Sequence, residues 1–229
     1  MLNADNLSKS FALSHKKVCT PLVDATFYIG EGEKVGILGK SGEGKTTIAR
    51  IICGLTPPDG GNVYIDGAPL YDAKKRYNRD VGKTVQLVPQ HPYASLDPVQ
   101  PVGKAVAEAL RVARRAANRT EAERLTAELL EKVGLEQDIA KRTPAQISGG
   151  QAQRIAIARA LAVRPSVLIS DEATSMLDIS SQAQIVALLD SLVKTEKLSV
   201  LFISHDESLV EAFTTRRYRL TDGRLNQNE

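Results

Sequence analysis

Apolar and polar residues alternate along the first third of the chain in a way that predicts strands. Residues 20–29 alternate cleanly, as in a strand that is buried on one face. One face of this strand carries Val23, Ala25, Phe27 and Ile29. Residues 34–38 predict a second, apolar strand, and a helix is predicted at residues 46–53 after a glycine-rich turn. Short strands are also predicted at residues 62–66 and 84–88.

The middle of the chain has the spacing of helices instead. Residues 102–133 are rich in Ala, Leu, Glu and Arg and have a helical pattern that is interrupted near Asn118. Residues 145–163 predict another helical segment, which Pro165 ends. Strands and helices then alternate again, with strands at residues 167–170 and 199–203 and helices at residues 180–194 and 207–213.

Strands that alternate with helices predict a parallel sheet covered on both faces. The all-helical insertion in this pattern is about 70 residues long. We therefore expect a single α/β domain over residues 1–229, with a core formed by residues 1–88 and 164–229 and a helical subdomain at about residues 89–163.

Composition indicates an ordinary globular protein, because 42% of its 229 residues are hydrophobic. Apolar stretches such as residues 200–203 are far shorter than the ~20 residues that cross a bilayer. Residues 1–6 lack the features of a secretion signal, so we expect a cytosolic location. Cys19 and Cys53 are too few for a disulfide framework or a four-ligand zinc site. A formal net charge of +3 gives no reason to expect a nucleic-acid partner.

Residues 39–46 read G-K-S-G-E-G-K-T and fit the phosphate-loop pattern G-x-x-x-x-G-K-[ST]. Without a Cβ, the glycines let the backbone approach a phosphate, and the loop amides and helix N-terminus point at it. We expect Lys45 to reach the β- and γ-phosphates of a nucleoside triphosphate, and the Thr46 hydroxyl to bind magnesium. A glycine turn with a structural role is the alternative. The residues assigned to phosphate binding are Gly39, Lys40, Ser41, Gly42, Glu43, Gly44, Lys45, Thr46 and Thr47.

Two adjacent carboxylates follow the apolar strand at residues 167–170. Ligands of parallel sheets lie at the carboxyl ends of their strands. We expect Asp171 to hold magnesium, directly or through water, and Glu172 to orient and deprotonate the attacking water. Taken alone, this segment is also compatible with two surface carboxylates after a core strand.

A second segment with the character of an anion site lies at Ser148, Gly149, Gly150 and Gln151, which open a helix that runs to Ala162. The amides of the first turn of a helix have no partner within the helix. An ordinary capped helix start would look the same. Because the chain has a single phosphate loop, a simple explanation is that this second segment serves the nucleotide of another subunit.

Taken together, these motifs resemble those of the ATP-binding-cassette (ABC) ATPases over nearly the whole chain. The residues that carry the resemblance are, in order, Phe11, residues 39–46, Gln90, residues 147–151, Asp171 and Glu172, residues 175–178, and His205. The resemblance implies an α/β phosphate-loop nucleotide-binding domain, whose mostly parallel sheet is accompanied by a helical subdomain and a small antiparallel β subdomain. It also implies hydrolysis of ATP with Mg²⁺.

The family pattern implies roles for single residues. Phe11 would stack on adenine; its alternative is an ordinary core aromatic residue. Gln90 would contact magnesium or the attacking water and report the nucleotide state to a partner. His205 would hydrogen-bond to the γ-phosphate. His15 and His91 match no motif and are expected to be ordinary loop residues.

The resemblance also implies a dimer. Two such domains would enclose two ATP molecules head to tail, with Asp178 at the interface and with Ser148 and Gly150 completing the opposite site. The partner would be a second copy of this chain or a related ABC ATPase.

Residues 90–98 read Q-H-P-Y-A-S-L-D-P and resemble the corresponding segment of nickel and oligopeptide import ATPases. That resemblance implies a peripheral subunit on the cytoplasmic face of a bacterial membrane, bound to transmembrane permease subunits and served indirectly by an extracellular substrate-binding protein. A non-transport ABC ATPase, such as the ATPase part of carbon–phosphorus lyase machinery, is the main alternative. A nucleotide sensor without catalysis is a third.

Three residues depart from the usual family pattern. Ile147 stands where Leu is usual, and this near-isosteric change should be tolerated. Ala173 replaces Pro, and Met176 replaces Ala. The last two lie near the implied dimer seam, where they would alter hydrolysis rate or partner preference, and no phosphate-contacting position is affected.

Overall fold

The computed structural model describes residues 1–14 and 17–228; His15, expected to be a loop residue, lies outside these ranges. Ten strands are described: β1 (Leu2–Ser14), β2 (Lys17–Ile29), β3 (Lys34–Leu38), β4 (Gly60–Ile65), β5 (Ala68–Pro69), β6 (Val85–Val88), β7 (Val167–Asp171), β8 (Ser199–Ser204), β9 (Arg216–Thr221) and β10 (Arg224–Asn228). The α-helices of these residues are α1 (Lys45–Ile52), α2 (Arg79–Gly82), α3 (Gly103–Val112), α4 (Arg119–Lys132), α5 (Gly149–Leu161), α6 (Ile179–Glu196) and α7 (Glu207–Phe213). Short 3-10 helices cover Pro92–Ser95, Gln137–Lys141 and Pro144–Gln146.

The strands form two sheets. The six-stranded sheet has the order β10-β9-β3-β8-β7-β6, and β3, β7, β8 and β9 pair in parallel. The four-stranded sheet has the order β2-β1-β4-β5 and is antiparallel. All residues of β7 and β8 are buried, as expected for parallel strands inside a sheet. The predicted α/β class, with a mostly parallel sheet and a smaller antiparallel one, is confirmed.

The chain forms two compact units. The first comprises Met1–Leu87, Ser166–Glu172 and Leu192–Glu229, and it contains the parallel strands β3, β7 and β8. The second comprises Val88–Pro165 and Ala173–Ser191, and it contains α3, α4 and α5. The predicted single domain, with its helical subdomain at about residues 89–163, stays a prediction.

The alternation expected along residues 20–29 is interrupted by a bulge. Leu22 and Ala25 are fully buried, whereas Val23, expected on the buried face, is only partly buried. Asp24 has a φ of 48°, and the pairing of β1 with β2 shifts between Leu7↔Ala25 and Lys9↔Leu22. An extra residue in one strand turns the following side chains to the other face, which explains the exchange of Val23 for Leu22.

Several elements differ from the predicted ones. Strand β1 and the hairpin of β9 and β10 were not predicted. The helix predicted at residues 145–163 is divided in the structure, because Ile147 is extended (φ −124°, ψ 151°) between a 3-10 turn and α5. The interruption predicted near Asn118 is present, since the Asn118 side chain caps α4 by accepting a hydrogen bond from the amide of Glu121.

Two buried serines on neighbouring strands differ in hydrogen bonding. The Ser170 hydroxyl, on β7, is buried without a hydrogen-bond partner in the described part of the chain. The Ser199 hydroxyl, on β8, donates to the carbonyl of Gly30 (2.8 Å) and accepts from the amide of Gly32 (3.0 Å). A buried hydroxyl without a partner loses its hydration without compensation, so Ser170 destabilises the first unit and Ser199 stabilises it.

The two serines give a matched stability test. We expect Ser170→Ala to raise the free energy of unfolding by about 1 kcal/mol and Ser199→Ala to lower it by about 1–3 kcal/mol. Urea denaturation followed by circular dichroism measures both. A loss of stability in Ser170→Ala as large as that in Ser199→Ala would contradict the assignment of an unsatisfied hydroxyl.

Candidate functional site

The phosphate loop connects β3 to α1 and depends on two glycines with positive φ. Gly42 has a φ of 84° and Gly44 a φ of 107°, conformations that side chains with a Cβ adopt rarely. A Cβ on Gly44 would also lie 2.5 Å from the carbonyl oxygen of Pro21. Conformation and space therefore both require glycine at residue 44, directly before the first residue of α1.

Lys45, the first residue of α1, is buried among acceptors. Its Nζ donates to the carbonyl oxygens of Gly39 (2.7 Å) and Lys40 (2.8 Å) and lies 3.3 Å from Oε1 of Glu172. Only 4% of the residue is exposed, so these groups replace most of the water around the ammonium. The positive charge is thereby held at the phosphate loop.

Glu172 connects this ammonium to a histidine. Its Oε1 lies 3.3 Å from Nζ of Lys45 and 3.5 Å from Nδ1 of His205. Its backbone has a φ of 48°, and its amide donates to the carbonyl of Ile203 (2.9 Å). A left-handed conformation costs a non-glycine residue about 1–2 kcal/mol. Non-glycine residues in such conformations cluster at active sites, where the surrounding structure holds them.

Asp171, the last residue of β7, is a partly desolvated carboxylate. Burial raises its pKa above the ordinary value, while a hydrogen bond from Thr46 Oγ1 to its Oδ1 (3.4 Å) opposes the rise. The neighbouring Glu172 carboxylate raises this pKa further, and Lys45 lowers it. A hydroxyl and a carboxylate oxygen are ligands that Mg²⁺ accepts, so Thr46 and Asp171 fit the magnesium ion that the sequence predicts.

Phe11 lies on β1 with 38% of its surface exposed, so it is not an ordinary core aromatic residue. The ammonium of Lys9 is 5.4 Å from the centroid of its ring, within range of a cation–π interaction. Lys9 in turn donates to Oδ1 of Asp59 (2.7 Å), and the Ser10 amide donates to Oδ2 of the same carboxylate (2.7 Å). These two hydrogen bonds hold the pKa of Asp59 below its ordinary value. The segment that carries Phe11 is thus fixed by Asp59.

In the second unit, Ser148 and Gln151 form a capping box at the start of α5. The Ser148 hydroxyl accepts from the amide of Gln151 (3.3 Å), and Oε1 of Gln151 accepts from the amide of Ser148 (2.9 Å). The side chains of both residues are therefore used to begin the helix. Gly149 and Gly150 keep the backbone of the first turn uncovered by side chains of their own.

Asp178 caps α6. One of its carboxylate oxygens accepts from the amide of Ser181 (2.9 Å) and the other from the hydroxyl of Ser181 (2.8 Å). These hydrogen bonds lower the pKa of Asp178. A Cβ on Gly150 would lie 3.5 Å from Oγ of Ser181, so the start of α5 lies beside this cap within the second unit.

Gln90 also belongs to the second unit, where its Nε2 donates to the hydroxyl of Ser175 (3.3 Å). A Cβ on Gly149 would lie 3.4 Å from a methyl group of Leu177. Residues 175–181 therefore contact both Gln90 and the start of α5.

The predicted site residues fall into two groups. Phe11, residues 39–47, Asp171, Glu172 and His205 belong to the first unit, while Gln90, residues 148–151 and Asp178 belong to the second. The structure brings Lys45, Thr46, Asp171, Glu172 and His205 into one connected cluster. No helix in the described residues has the length and apolar character needed to span a bilayer.

Two polar partners of these residues were not predicted. Ser181 follows Asp178 at the spacing of a helix cap, so the sequence did contain a signal for that pair. Ser175 is distant from Gln90 in the chain, and their contact forms only when the second unit folds. No local sequence pattern predicts such a contact.

The family model described as ABC transporter matches residues 22–175. The chain belongs to the ABC transporter family. It is 41% identical to a putative peptide import ATP-binding protein of Brucella abortus, over 98% of this chain and 69% of that protein. It is 40% identical to the nickel import ATP-binding protein NikE of Brucella abortus, over 98% of this chain and 86% of that one.

A solved dimeric ATP-binding cassette in a post-hydrolysis state, bound to ADP and Pi, has the same fold. Its TM-score is 0.87 at 30% identity, and the match covers 100% of this chain and 98% of that one. The chain is an ABC-type ATPase that binds ATP, related to ATP-binding proteins of import systems. The family and the enzyme class expected from the motifs are confirmed.

The raised pKa of Asp171 predicts that its carboxylate opposes folding at neutral pH. An acid whose pKa is raised by folding binds more protons in the folded state, so stability rises as the pH falls through that pKa. Without nucleotide or metal, we expect Asp171→Asn to be more stable than the parent at pH 7. The difference should shrink as the pH falls through the raised pKa toward the ordinary value of 3.8.

Urea denaturation at pH 7 and at pH 4 measures this difference. Asp178→Asn is the control of opposite sign, because the pKa of this exposed carboxylate is lowered and its charge favours folding at pH 7. Its effect should be small because the group is fully solvated. A less stable Asp171→Asn variant at pH 7 would contradict the desolvation argument.

Proposed function

We propose that this chain is the ATP-hydrolysing subunit of an ABC importer for peptides, nickel or a metal chelate. The observation that carries the catalytic part is the contact of Glu172 with both Lys45 (3.3 Å) and His205 (3.5 Å) beside a phosphate loop. The import part rests on relatives that are named for peptide and nickel import. The chain spans 69% and 86% of the length of these two relatives.

In this proposal, residues 39–47 wrap the phosphates of ATP and Phe11 stacks on adenine. The exposed ring of Phe11 and the positive charge of Lys9 beside it suit a planar base that carries a negatively charged phosphate chain. Gln90 reports the nucleotide state to a partner subunit. Ser148, Gly149, Gly150 and Gln151 complete the site of a partner subunit, and Asp178 lies at the seam between the two.

The proposed hydrolysis uses Glu172 and His205. A water oxygen attacks the γ-phosphorus, the bond to the β–γ bridging oxygen breaks, and ADP and phosphate form. Glu172 accepts the proton of this water, and His205 donates a hydrogen bond to a γ-phosphate oxygen. The Nζ of Lys45 has acceptors at Gly39, Lys40 and Glu172, and phosphate oxygens compete for the same donor. Nucleotide binding thereby weakens the ion pair between Lys45 and Glu172.

Thr46 and Asp171 would hold the magnesium ion, Thr46 through its hydroxyl and Asp171 through its carboxylate or a bridging water. Their oxygens are 3.4 Å apart, and burial has already removed part of the hydration of Asp171. The ion would supply positive charge against the β- and γ-phosphate oxygens. Gln90 would contact the same ion or the attacking water.

The proposed assembly is a dimer, of two copies or with a related ABC ATPase. ATP binding closes it, hydrolysis reopens it, and transmembrane permease subunits follow that motion. An extracellular substrate-binding protein acts indirectly, and the chain is peripheral on the cytoplasmic face of a bacterial membrane. The non-transport alternative, an ATPase of carbon–phosphorus lyase type, is not favoured because the relatives reported above are named for import.

Glu172→Gln tests the catalytic role. Because the amide cannot accept the proton, we expect ATP to bind while steady-state hydrolysis falls by about 10²- to 10⁴-fold. A calorimetric titration with ATP and an assay of released phosphate measure the two effects. Glu211→Gln, the same change at an exposed residue of α7, is the matched control. An unimpaired rate in Glu172→Gln would remove Glu172 from the mechanism.

Affinity purification tests the import role. Tagged Glu172→Gln protein is recovered from its native cells with ATP, with membrane and soluble fractions kept separate. We expect polytopic membrane subunits in the membrane fraction, and their identity would indicate the cargo. Recovery of soluble partners alone would overturn the importer assignment and leave the ATPase chemistry in place.

A further inference from the structure

The phosphate loop contains a carboxylate whose side chain folds back onto the loop. Oε2 of Glu43 accepts a hydrogen bond from the amide of Lys40 (2.6 Å), and the amide of Glu43 donates to the carbonyl of Lys40 (3.3 Å). Both hydrogen bonds close the same turn. Residue 43 is a variable position of the phosphate-loop pattern, so the pattern alone gives this side chain no role.

Glu43 and Lys45 both hydrogen-bond to the backbone of Lys40. The amide of Lys40 donates to the Glu43 carboxylate, and the carbonyl of Lys40 accepts from Nζ of Lys45 (2.8 Å) as well as from the amide of Glu43. When phosphate oxygens compete for Lys45, the hydrogen bonds to Glu43 still hold this part of the loop. The Glu43 carboxylate therefore acts on a backbone segment that Lys45 also contacts.

Two glycines make room for this arrangement. A Cβ on Gly39 would lie 2.8 Å from Oε2 of Glu43, and the chain reverses at Gly42 with a φ of 84°. Gly39 thus leaves space for the Glu43 carboxylate, and Gly42 allows the positive φ at which the chain reverses.

We propose that Glu43 is a positioning residue that stabilises the phosphate loop and, through its negative charge, lowers the affinity of the loop for nucleotide. The inference rests on the proposed function of residues 39–47 as the phosphate-binding loop. The hydrogen bond to Lys40 preorganises the loop. The carboxylate lies within the loop proposed to bind the phosphates, so its negative charge repels theirs. Glu43 therefore sets nucleotide affinity below the value that a neutral acceptor would give.

Two substitutions separate the charge from the hydrogen bond. Glu43→Gln keeps an oxygen acceptor for the amide of Lys40 but removes the charge, whereas Glu43→Ala removes both. We expect Glu43→Gln to bind ADP about three- to tenfold more tightly than the parent at low ionic strength, with the difference shrinking as salt screens the charge. We expect Glu43→Ala to bind about threefold or more weakly than Glu43→Gln at every salt concentration.

Calorimetric titration with ADP at salt concentrations from about 20 mM to about 500 mM would measure these affinities. Over this range the Debye length falls from ~20 Å to ~4 Å. Glu31→Gln is the matched control, because this exposed residue lies before β3, at the opposite end of the strand from the phosphate loop. Thermal unfolding of every variant identifies effects that come from stability alone.

Each outcome decides one part of the inference. Equal affinities of Glu43→Gln and the parent at low salt would overturn the charge effect, and equal affinities of Glu43→Gln and Glu43→Ala would overturn the positioning role. Lys45→Ala distinguishes a failure of the proposed function. If ADP and ATP bind undiminished to Lys45→Ala, residues 39–47 are not the phosphate site; if its binding is lost while Glu43 variants match the parent, the inference about Glu43 alone is wrong.

Discussion

Parallel pairing of β3, β8 and β7 is the constraint on which the chemistry of the first unit depends. Leu38 pairs with Ser204 and Asp171 with Ile203, so the carboxyl ends of three strands meet at one edge of the sheet. Each strand is followed at once by a part of the proposed site: β3 by the phosphate loop, β8 by His205 and β7 by Glu172. The contacts among these groups are therefore consequences of strand register, and a slip in register would separate them.

The same strands explain what could be predicted from the sequence. Apolar runs predicted β3, β7 and β8. The phosphate-loop pattern and the carboxylates after β7 were proposed as site residues from their chemistry, and His205 from the family resemblance. Strand β1 was not predicted because its alternation is interrupted at Asn6, where φ is 50°, so that the buried residues Ala4 and Leu7 lie three positions apart. The partner of Gln90 lies 85 residues away in the chain, so no local pattern predicts that contact. The contact of Glu43 with Lys40 is local, but residue 43 is a variable position of the phosphate-loop pattern, so the pattern does not predict it.

The second unit shows how a structural role and a proposed functional role can fall on one residue. Ser148 begins α5 and Asp178 begins α6 through hydrogen bonds that any capped helix would use. These caps use the side-chain oxygens of Ser148 and Asp178 as acceptors. The backbone amides of Gly149 and Gly150 are not shielded by side chains of their own, because glycine has none. A partner's phosphate would be bound by those amides, so in this unit structure and recognition use different atoms of the same segment.

The positive φ of Glu172 affects which amino-acid replacements evolution would favour at this residue. Glycine and asparagine adopt such a backbone more readily than glutamate does, so replacement by either would relax the fold while removing the proposed base. Selection for folding alone would drive residue 172 away from glutamate. Persistence of glutamate at this residue across descendants would thus record selection for turnover, separately from any selection for a stable domain.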